Sequence, residues 1–159
     1  MAPRARTDAP LPRERVVAPH LRQRAVVRGV VGATALGVAD PGVVGEERVE
    51  VGGARFLYAP DREHGDARLD AIFLDAARGA SVLVADSQYT PEEYSSHLGW
   101  GHTTWAECAR AAREAQVGSL VLFSHDPSHS DDFIRGIELD ARRIFPHTFA
   151  AREDWAVEL

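Results

Sequence analysis

Four short clusters of acidic and histidine residues lie at the ends of apolar segments in this sequence. They are DREH (61–64), the single residue Asp86, His102 after a glycine, and SHDP (124–127). Carboxylates and imidazoles that separate loops bring together can bind a divalent metal ion, and such an ion activates a water molecule for hydrolysis. Each cluster alone is weak evidence, because one histidine at a strand end more often only makes a hydrogen bond or lies on the surface.

The segments around these clusters predict alternating strands and helices. A glycine pair predicts a hairpin turn, short apolar runs predict strands buried on both faces, and capping residues mark helix starts. In chain order the predicted elements are a hairpin over 47–51 and 54–59, a helix from Asp66 to Gly79, a strand over 81–85, a helix from Thr104 to about 116, a strand over 120–123 and a helix over about 130–143. This order predicts an α/β fold with helices packed on a sheet, and it places the clusters at strand ends, where open α/β sheets carry their sites. The long loop over 87–101 is interpreted as a lid or a wall of that site.

Composition limits the class of protein and its compartment. The 159 residues fit one domain, and the net charge of −6 argues against sequence-independent nucleic-acid binding, so nucleic acid is not expected as a partner. The single Cys108 excludes an internal disulfide and a zinc cluster made of cysteines alone. No apolar run has the length of a membrane span and no secretory signal is recognised, so we expect no membrane and a cytoplasmic location.

Four sequence motifs resemble a known family when they are taken in order. They are YAPDREH (58–64), VLVADSQYTPEEY (82–94), GWGHTTW (99–105) and LVLFSHDPSHSDD (120–132). Together they resemble the C-terminal half of metallo-β-lactamase-fold hydrolases, in particular the ribonuclease Z-like and phosphodiesterase-like branch. The resemblance implies half of an αββα sandwich, in which a β-hairpin precedes alternating helices and strands. The half-domain is expected over 46–145, after an irregular or disordered Arg/Pro-rich segment over 1–45 and before a C-terminal tail over 146–159.

The resemblance also implies a role for one residue of each cluster. Asp61 corresponds to the aspartate that bridges two metal ions, and His125 to a metal-ligating histidine. Asp86 corresponds to a carboxylate that supports a proton-donating histidine, which is His102. The cofactor implied is a divalent metal, with zinc as first choice and manganese as the alternative, if the site is completed. Each of the four residues also has a purely structural interpretation, such as capping a turn or holding a loop by a hydrogen bond.

Three departures from the family pattern leave two functions open. The sequence contains no His-x-His-x-Asp-His cluster, and His20 has no recognisable context as the remaining family ligand. Pro60 precedes Asp61 where threonine is common, and Ser124 stands where many relatives have a second histidine. The first hypothesis is a metal-dependent hydrolase of an ester or phosphoester, small-molecule substrates included, whose missing ligands come from another polypeptide or subunit. The alternative is a catalytically inactive fragment or pseudoenzyme that acts as an interaction module.

Two further expectations concern partners. A half sandwich would expose the sheet face that its other half covers, so a homodimer is possible. A basic N-terminal arm that contacts nucleic acid is the least favoured interpretation of the arginines in the first 28 residues.

Overall fold

The computed structural model describes residues 53–153 together with the strands Val16–Val17, Glu47–Val51 and Val157–Glu158. The predictions for the segment 1–45, apart from the first of these strands, and for His20 therefore lie outside the described residues. In chain order the elements are β1 (Val16–Val17), β2 (Glu47–Val51), β3 (Ala54–Ala59), α1 (Ala67–Ala77), β4 (Val82–Asp86), α2 (Pro91–Tyr94), α3 (Trp105–Glu114), β5 (Ser119–Phe123), α4 (Asp131–Ile144), β6 (Thr148–Ala150) and β7 (Val157–Glu158).

The main sheet has five strands in the order β2-β3-β4-β5-β6, and β1 and β7 form a separate parallel pair. Strands β2 and β3 are antiparallel and pair Val51 with Ala54, which confirms the predicted hairpin. The other three pairs are parallel, so each needs a crossover between its strands, and α1, α3 and α4 supply these crossovers. The predicted α/β fold is thereby confirmed, and the carboxyl ends of β3, β4 and β5 lie side by side.

The sheet buries apolar side chains on both of its faces. On one face Leu57, Leu83 and Leu120 form a row across β3, β4 and β5, and helices α1, α3 and α4 pack against it. The other face carries a second cluster of buried side chains, on which Tyr58, Phe123 and Ala151 pack: Ala54, Phe56, Val82, Val84 and Val121. Each of these is 8% exposed or less. The exposed apolar face from which we expected a homodimer is therefore not found at these positions, and the homodimer itself stays a prediction.

The structure differs from the predicted elements at four places. Thr148–Ala150, assigned to a tail, forms β6, because the edge of β5 offers hydrogen bonds even to a strand of three residues. The predicted loop 87–101 contains the short helix α2, and its N-cap Thr90 forms a complete capping box with Glu93. At Thr104 only half of the predicted box is present, since the Glu107 side chain pairs with Arg110.

The fourth difference concerns helix ends and burial. Helix α1 ends at Ala77, two residues before Gly79, whose φ of 63° lies in the left-handed region. Leu69 and Phe133, both predicted on buried faces, are 37% and 45% exposed because each lies in the first turn of its helix. None of the helices in the described part of the chain is long and apolar enough to cross a membrane.

Two glycines provide a matched test of packing. A Cβ at Gly118 would lie 2.6 Å from the Ser81 carbonyl oxygen, whereas a Cβ at Gly136 in α4 meets nothing within 4 Å. We expect Gly118→Ala to lower the free energy of unfolding by about 1–3 kcal/mol, because backbone must move. Gly136→Ala should raise it by about 0.5–1 kcal/mol through helix propensity. Urea unfolding of both variants measures this, and equal stability of the two would contradict the packing described for Gly118.

Candidate functional site

Three of the four predicted site residues come together at the carboxyl edge of the sheet. Asp61 follows β3, Asp86 is the last residue of β4, and His102 lies in the connection from β4 to α3. One ligand atom of each lies within 4.8 Å of the others. The adjacency of the parallel strands β3 and β4 is what brings the two carboxylates to one place.

Asp86 is a fully buried carboxylate whose two oxygens both accept hydrogen bonds. His102 Nδ1 lies 2.5 Å from Oδ2, while the backbone N–H groups of Thr103 and Gln88 donate to Oδ1 at 3.0 and 3.2 Å. Burial raises the pKa of Asp86 above its ordinary value, and these three donors act against that rise. Because Asp86 accepts from Nδ1, the proton of a neutral His102 lies on that nitrogen and Nε2 is left for another partner.

The backbone that follows His102 is held by Tyr89. The N–H of Tyr89 donates to the Thr103 carbonyl at 3.1 Å, and the N–H of Trp105 donates to the Tyr89 carbonyl at 3.2 Å. The ring of Tyr89 meets the His102 ring edge-on with centroids 6.1 Å apart. The side chain of His102 is 24% exposed, so a reactant can reach it.

Asp61 differs from Asp86 in being exposed. Its carboxylate makes no hydrogen bond to the described part of the chain, so its oxygens are available to a ligand. Asp61 therefore has the features of a metal ligand, and Asp86 those of a residue that orients His102.

The two residues that follow Arg62 contact the loop before His102. The Glu63 carboxylate accepts from the N–H groups of Gly99 at 2.6 Å and Gly101 at 2.9 Å, and from the Tyr94 hydroxyl at 3.2 Å. Burial opposes ionisation of Glu63, but these donors outweigh it and the pKa of Glu63 is lowered. His64 stacks on Tyr94 with ring centroids 4.3 Å apart.

His125 is not part of the group formed by Asp61, Asp86 and His102. Both of its ring nitrogens are buried without a hydrogen bond of ordinary geometry. Burial lowers its pKa, and so does the nearby His129, against a smaller opposite effect of the Ala151 backbone. The preceding residue, Ser124, has a left-handed φ of 57° and donates its hydroxyl to the Pro60 carbonyl at 3.0 Å. At the end of β5, therefore, the side chain that contacts the Asp61 segment is that of Ser124.

Two contacts of the site were not predicted from the sequence. His129 Nε2 lies 2.9 Å from Glu93 Oε1, which connects the start of α4 to α2. The capping box of Thr90 and Glu93 was a local signal that could have identified α2. The contacts of Glu63 had no such signal, since its partners Gly99 and Gly101 lie 36 and 38 positions away.

The donor set matches a divalent metal in kind but not in number. An exposed carboxylate at Asp61 and the buried imidazole nitrogens of His125 are donors of the kinds that zinc and manganese accept. A zinc site usually takes four ligands, and both oxygens of Asp86 already accept hydrogen bonds. The residues from 53 to 153 therefore offer fewer donors than a complete zinc site needs.

No family model matches this chain. Among curated proteins, it is 36% identical over 124 residues to a protein named ribonuclease Z from Gemmatimonas aurantiaca, covering 76% of this chain and 38% of that protein. It is 30% identical over 117 residues to a protein of the same name from Archaeoglobus fulgidus, covering 74% of this chain and 35% of that protein.

Two solved structures show the same fold over part of their length. The metallo-β-lactamase fold protein YhfI from Bacillus subtilis superimposes with a TM-score of 0.58 at 20% identity, covering 72% of this chain and 44% of that chain. Zinc-bound PqqB from Methylobacterium extorquens superimposes with a TM-score of 0.50 at 17% identity, covering 72% and 43%.

The fold is thus a partial metallo-β-lactamase sandwich. With the sequence identities above, the chain is a ribonuclease Z-like protein of the metallo-β-lactamase fold. It spans little more than a third of the length of the two curated relatives.

The buried nitrogens of His125 lead to a prediction on stability. His125→Leu should raise the free energy of unfolding of the metal-free protein by about 1–3 kcal/mol, because it removes unpaired polar atoms. The exposed His147 provides the control, and His147→Leu should change stability by less than about 0.5 kcal/mol.

The same variant should also change the pH dependence of stability. Burial lowers the pKa of His125 below its ordinary value of 6.5, so below that pH the unfolded chain binds a proton that the folded chain does not. Stability of the unmodified protein therefore falls as the pH drops below 6.5, and His125→Leu should make that fall smaller. Urea unfolding at a series of pH values measures both effects. A destabilised variant with an unchanged pH dependence would contradict the burial described for this ring.

Proposed function

We propose that this chain contributes to the active site of a metal-dependent hydrolase that cleaves phosphoester or similar ester bonds. The observation that carries the proposal is the pair formed by buried Asp86 and His102, with the exposed carboxylate of Asp61 beside it. A carboxylate, an oriented histidine and a free carboxylate are the groups that such hydrolysis requires for proton transfer and metal binding.

RNA is the substrate class that we propose among phosphoesters, because the curated relatives are named ribonucleases. This differs from our expectation that nucleic acid is not a partner. That expectation relied on a net charge of −6, which averages over the whole surface and does not exclude a local binding site. The relatives are matched over a third of their length, so their activity supports the proposal without deciding it.

In the proposed reaction His102 is the general acid. Asp86 Oδ2 accepts the Nδ1 proton and fixes the ring, so the proton for the leaving oxygen is donated from Nε2. To act as a general acid at Nε2, the ring must carry a proton on both nitrogens, and the Asp86 carboxylate then lies beside its positive charge.

The metal ligands that we propose are Asp61 and His125. Asp61 is supported by a carboxylate that accepts no hydrogen bond from the described residues, and His125 by two buried ring nitrogens without a hydrogen bond of ordinary geometry in the same part of the chain. Zinc is the first choice, since the neighbour PqqB is zinc-bound, and manganese is the alternative. When bound, such an ion lowers the pKa of its water and stabilises charge on the substrate oxygens. The further ligands would come from outside residues 53–153 or from another polypeptide.

The test compares the protein loaded with zinc or manganese and its His102→Gln variant, which keeps the size of the side chain but not its acid. Hydrolysis of bis(4-nitrophenyl) phosphate and of RNA should show a kcat lowered about 10²- to 10⁴-fold by the change. His147→Gln is the control, because that histidine is exposed, and its kcat should not change.

Two results would contradict the proposal. Metal analysis that finds no bound zinc or manganese would exclude a metal-dependent hydrolase for this chain. Equal rates for His102→Gln and the unmodified protein would exclude the acid pair. Either result would favour the alternative, an inactive fragment or pseudoenzyme that acts as an interaction module, for which the small number of metal donors among the described residues is the supporting observation.

A further inference from the structure

We infer that Glu63 is a positioning residue, which fixes His102 against Asp86 by holding the loop 97–101 to the end of β3. The inference rests on the proposed role of His102, and it concerns a residue that makes no contact with that ring. The loop leads directly into His102, and Glu63 lies two residues after Asp61. Glu63 thus connects the segment of the proposed metal ligand with the segment of the proposed acid.

Both oxygens of the Glu63 carboxylate accept hydrogen bonds from backbone N–H groups. Oε1 accepts from the Gly99 N–H at 2.6 Å, and Oε2 accepts from the Gly101 N–H at 2.9 Å. The Tyr94 hydroxyl lies 3.2 Å from Oε1 and 3.0 Å from the His64 carbonyl oxygen, so its single proton is shared between these two acceptors. Hydrogen bonds to an ionised carboxylate are about twice as strong as neutral ones, so those from Gly99 and Gly101 hold the short loop firmly, and Tyr94 connects α2 to the same carboxylate.

The glycines of the loop adopt a left-handed backbone conformation in open space, so hydrogen bonds are needed to fix it. Gly99 and Gly101 have φ values of 82° and 86°, a conformation that disfavours other residues, and nothing lies within 4 Å of a Cβ built at either. Leu98 and Trp100 beside them are 63% and 66% exposed, so these two side chains contribute little packing. His97 attaches the start of the loop, because its ring stacks on Tyr89 with centroids 4.2 Å apart and its Nδ1 lies 2.8 Å from the Glu93 carbonyl oxygen. At the end of the loop next to His102, Gly99 and Gly101 are attached by the carboxylate of Glu63.

A second contact connects the same segments. The ring of His64 stacks on Tyr94, and His64 Nδ1 forms a hydrogen bond with the Thr103 hydroxyl. Thr103 in turn donates its backbone N–H to Asp86 at 3.0 Å. The residues on both sides of His102, Gly101 and Thr103, are thus held by the segment that follows Asp61, and His102 between them has little freedom to leave Asp86.

The test uses Glu63→Gln, which turns one carboxylate oxygen into an N–H₂ group. That group faces a backbone N–H instead of accepting from it, so at least one glycine contact is lost. We expect amide hydrogen exchange at Gly99 or Gly101 to accelerate about tenfold or more, as loss of a hydrogen bond to a charged group implies. We also expect the His102 Nδ1–H proton, observed by NMR in the metal-free protein, to exchange faster and broaden.

Two other variants complete the design. Glu92→Gln makes the same chemical change at an exposed glutamate of α2 and should leave both signals unchanged. Tyr94→Phe removes one of the three donors but keeps a ring beside His64, and should produce the same effects at smaller size. If Glu63→Gln fails to fold by circular dichroism, Tyr94→Phe provides the result.

An unchanged His102 proton in a variant whose Gly99 and Gly101 amides exchange faster would overturn the inference, because Glu63 would then hold only the loop. Unchanged exchange at both glycines would also overturn it. Neither readout requires catalysis. Lack of hydrolysis by the unmodified protein would therefore contradict the proposed function alone, and an unaffected His102 proton would contradict this inference alone.

Discussion

The carboxylate of Asp86 is taken completely out of water, and a buried charge is stable only when donors surround it. Its donors are Gln88, His102 and Thr103. Gln88 lies at the start of the connection from β4 to α3, and the other two lie at its end. Both ends of that connection must therefore lie next to the end of β4. Its backbone carbonyl also accepts from the Cys108 thiol at 2.5 Å, which attaches α3. Burial strongly raises the pKa of Cys108, so the thiol stays a neutral donor. The position of His102 is a consequence of these requirements.

The site combines two kinds of carboxylate with different surroundings. Asp86 is buried and both of its oxygens accept hydrogen bonds, whereas Asp61 is exposed and its oxygens accept none from the described residues. The first kind fixes a ring and the second can bind an ion, so the division of roles follows from burial. Glu63 is a third kind, a half-buried carboxylate that accepts hydrogen bonds from the backbone N–H groups of Gly99 and Gly101. All three carboxylates lie at or shortly after the carboxyl ends of β3 and β4. Because these two strands are parallel neighbours, two strands are enough to bring the three carboxylates together.

Local sequence patterns predicted the fold well and the site in part. The glycine pair before Ala54 predicted the hairpin, and Asp66 caps α1 as its position indicated. Helix starts and buried strands are determined by residues that are close in sequence, so local patterns can predict them. Strand β6 and the contacts of Glu63 depend on partners far along the chain, which local patterns do not record. His125 lies outside the central group, and the residue before it, Ser124, contacts Pro60, which is 64 positions away in the sequence.

The central claim is that Asp61 binds a metal beside an intact pair of Asp86 and His102. The most direct test is a zinc-edge anomalous difference map from crystals of the full chain grown with zinc. We expect a peak about 2.0–2.2 Å from an Asp61 oxygen, with His102 Nδ1 still hydrogen-bonded to Asp86. No peak at Asp61, or a zinc ion that has displaced His102 from Asp86, would contradict it.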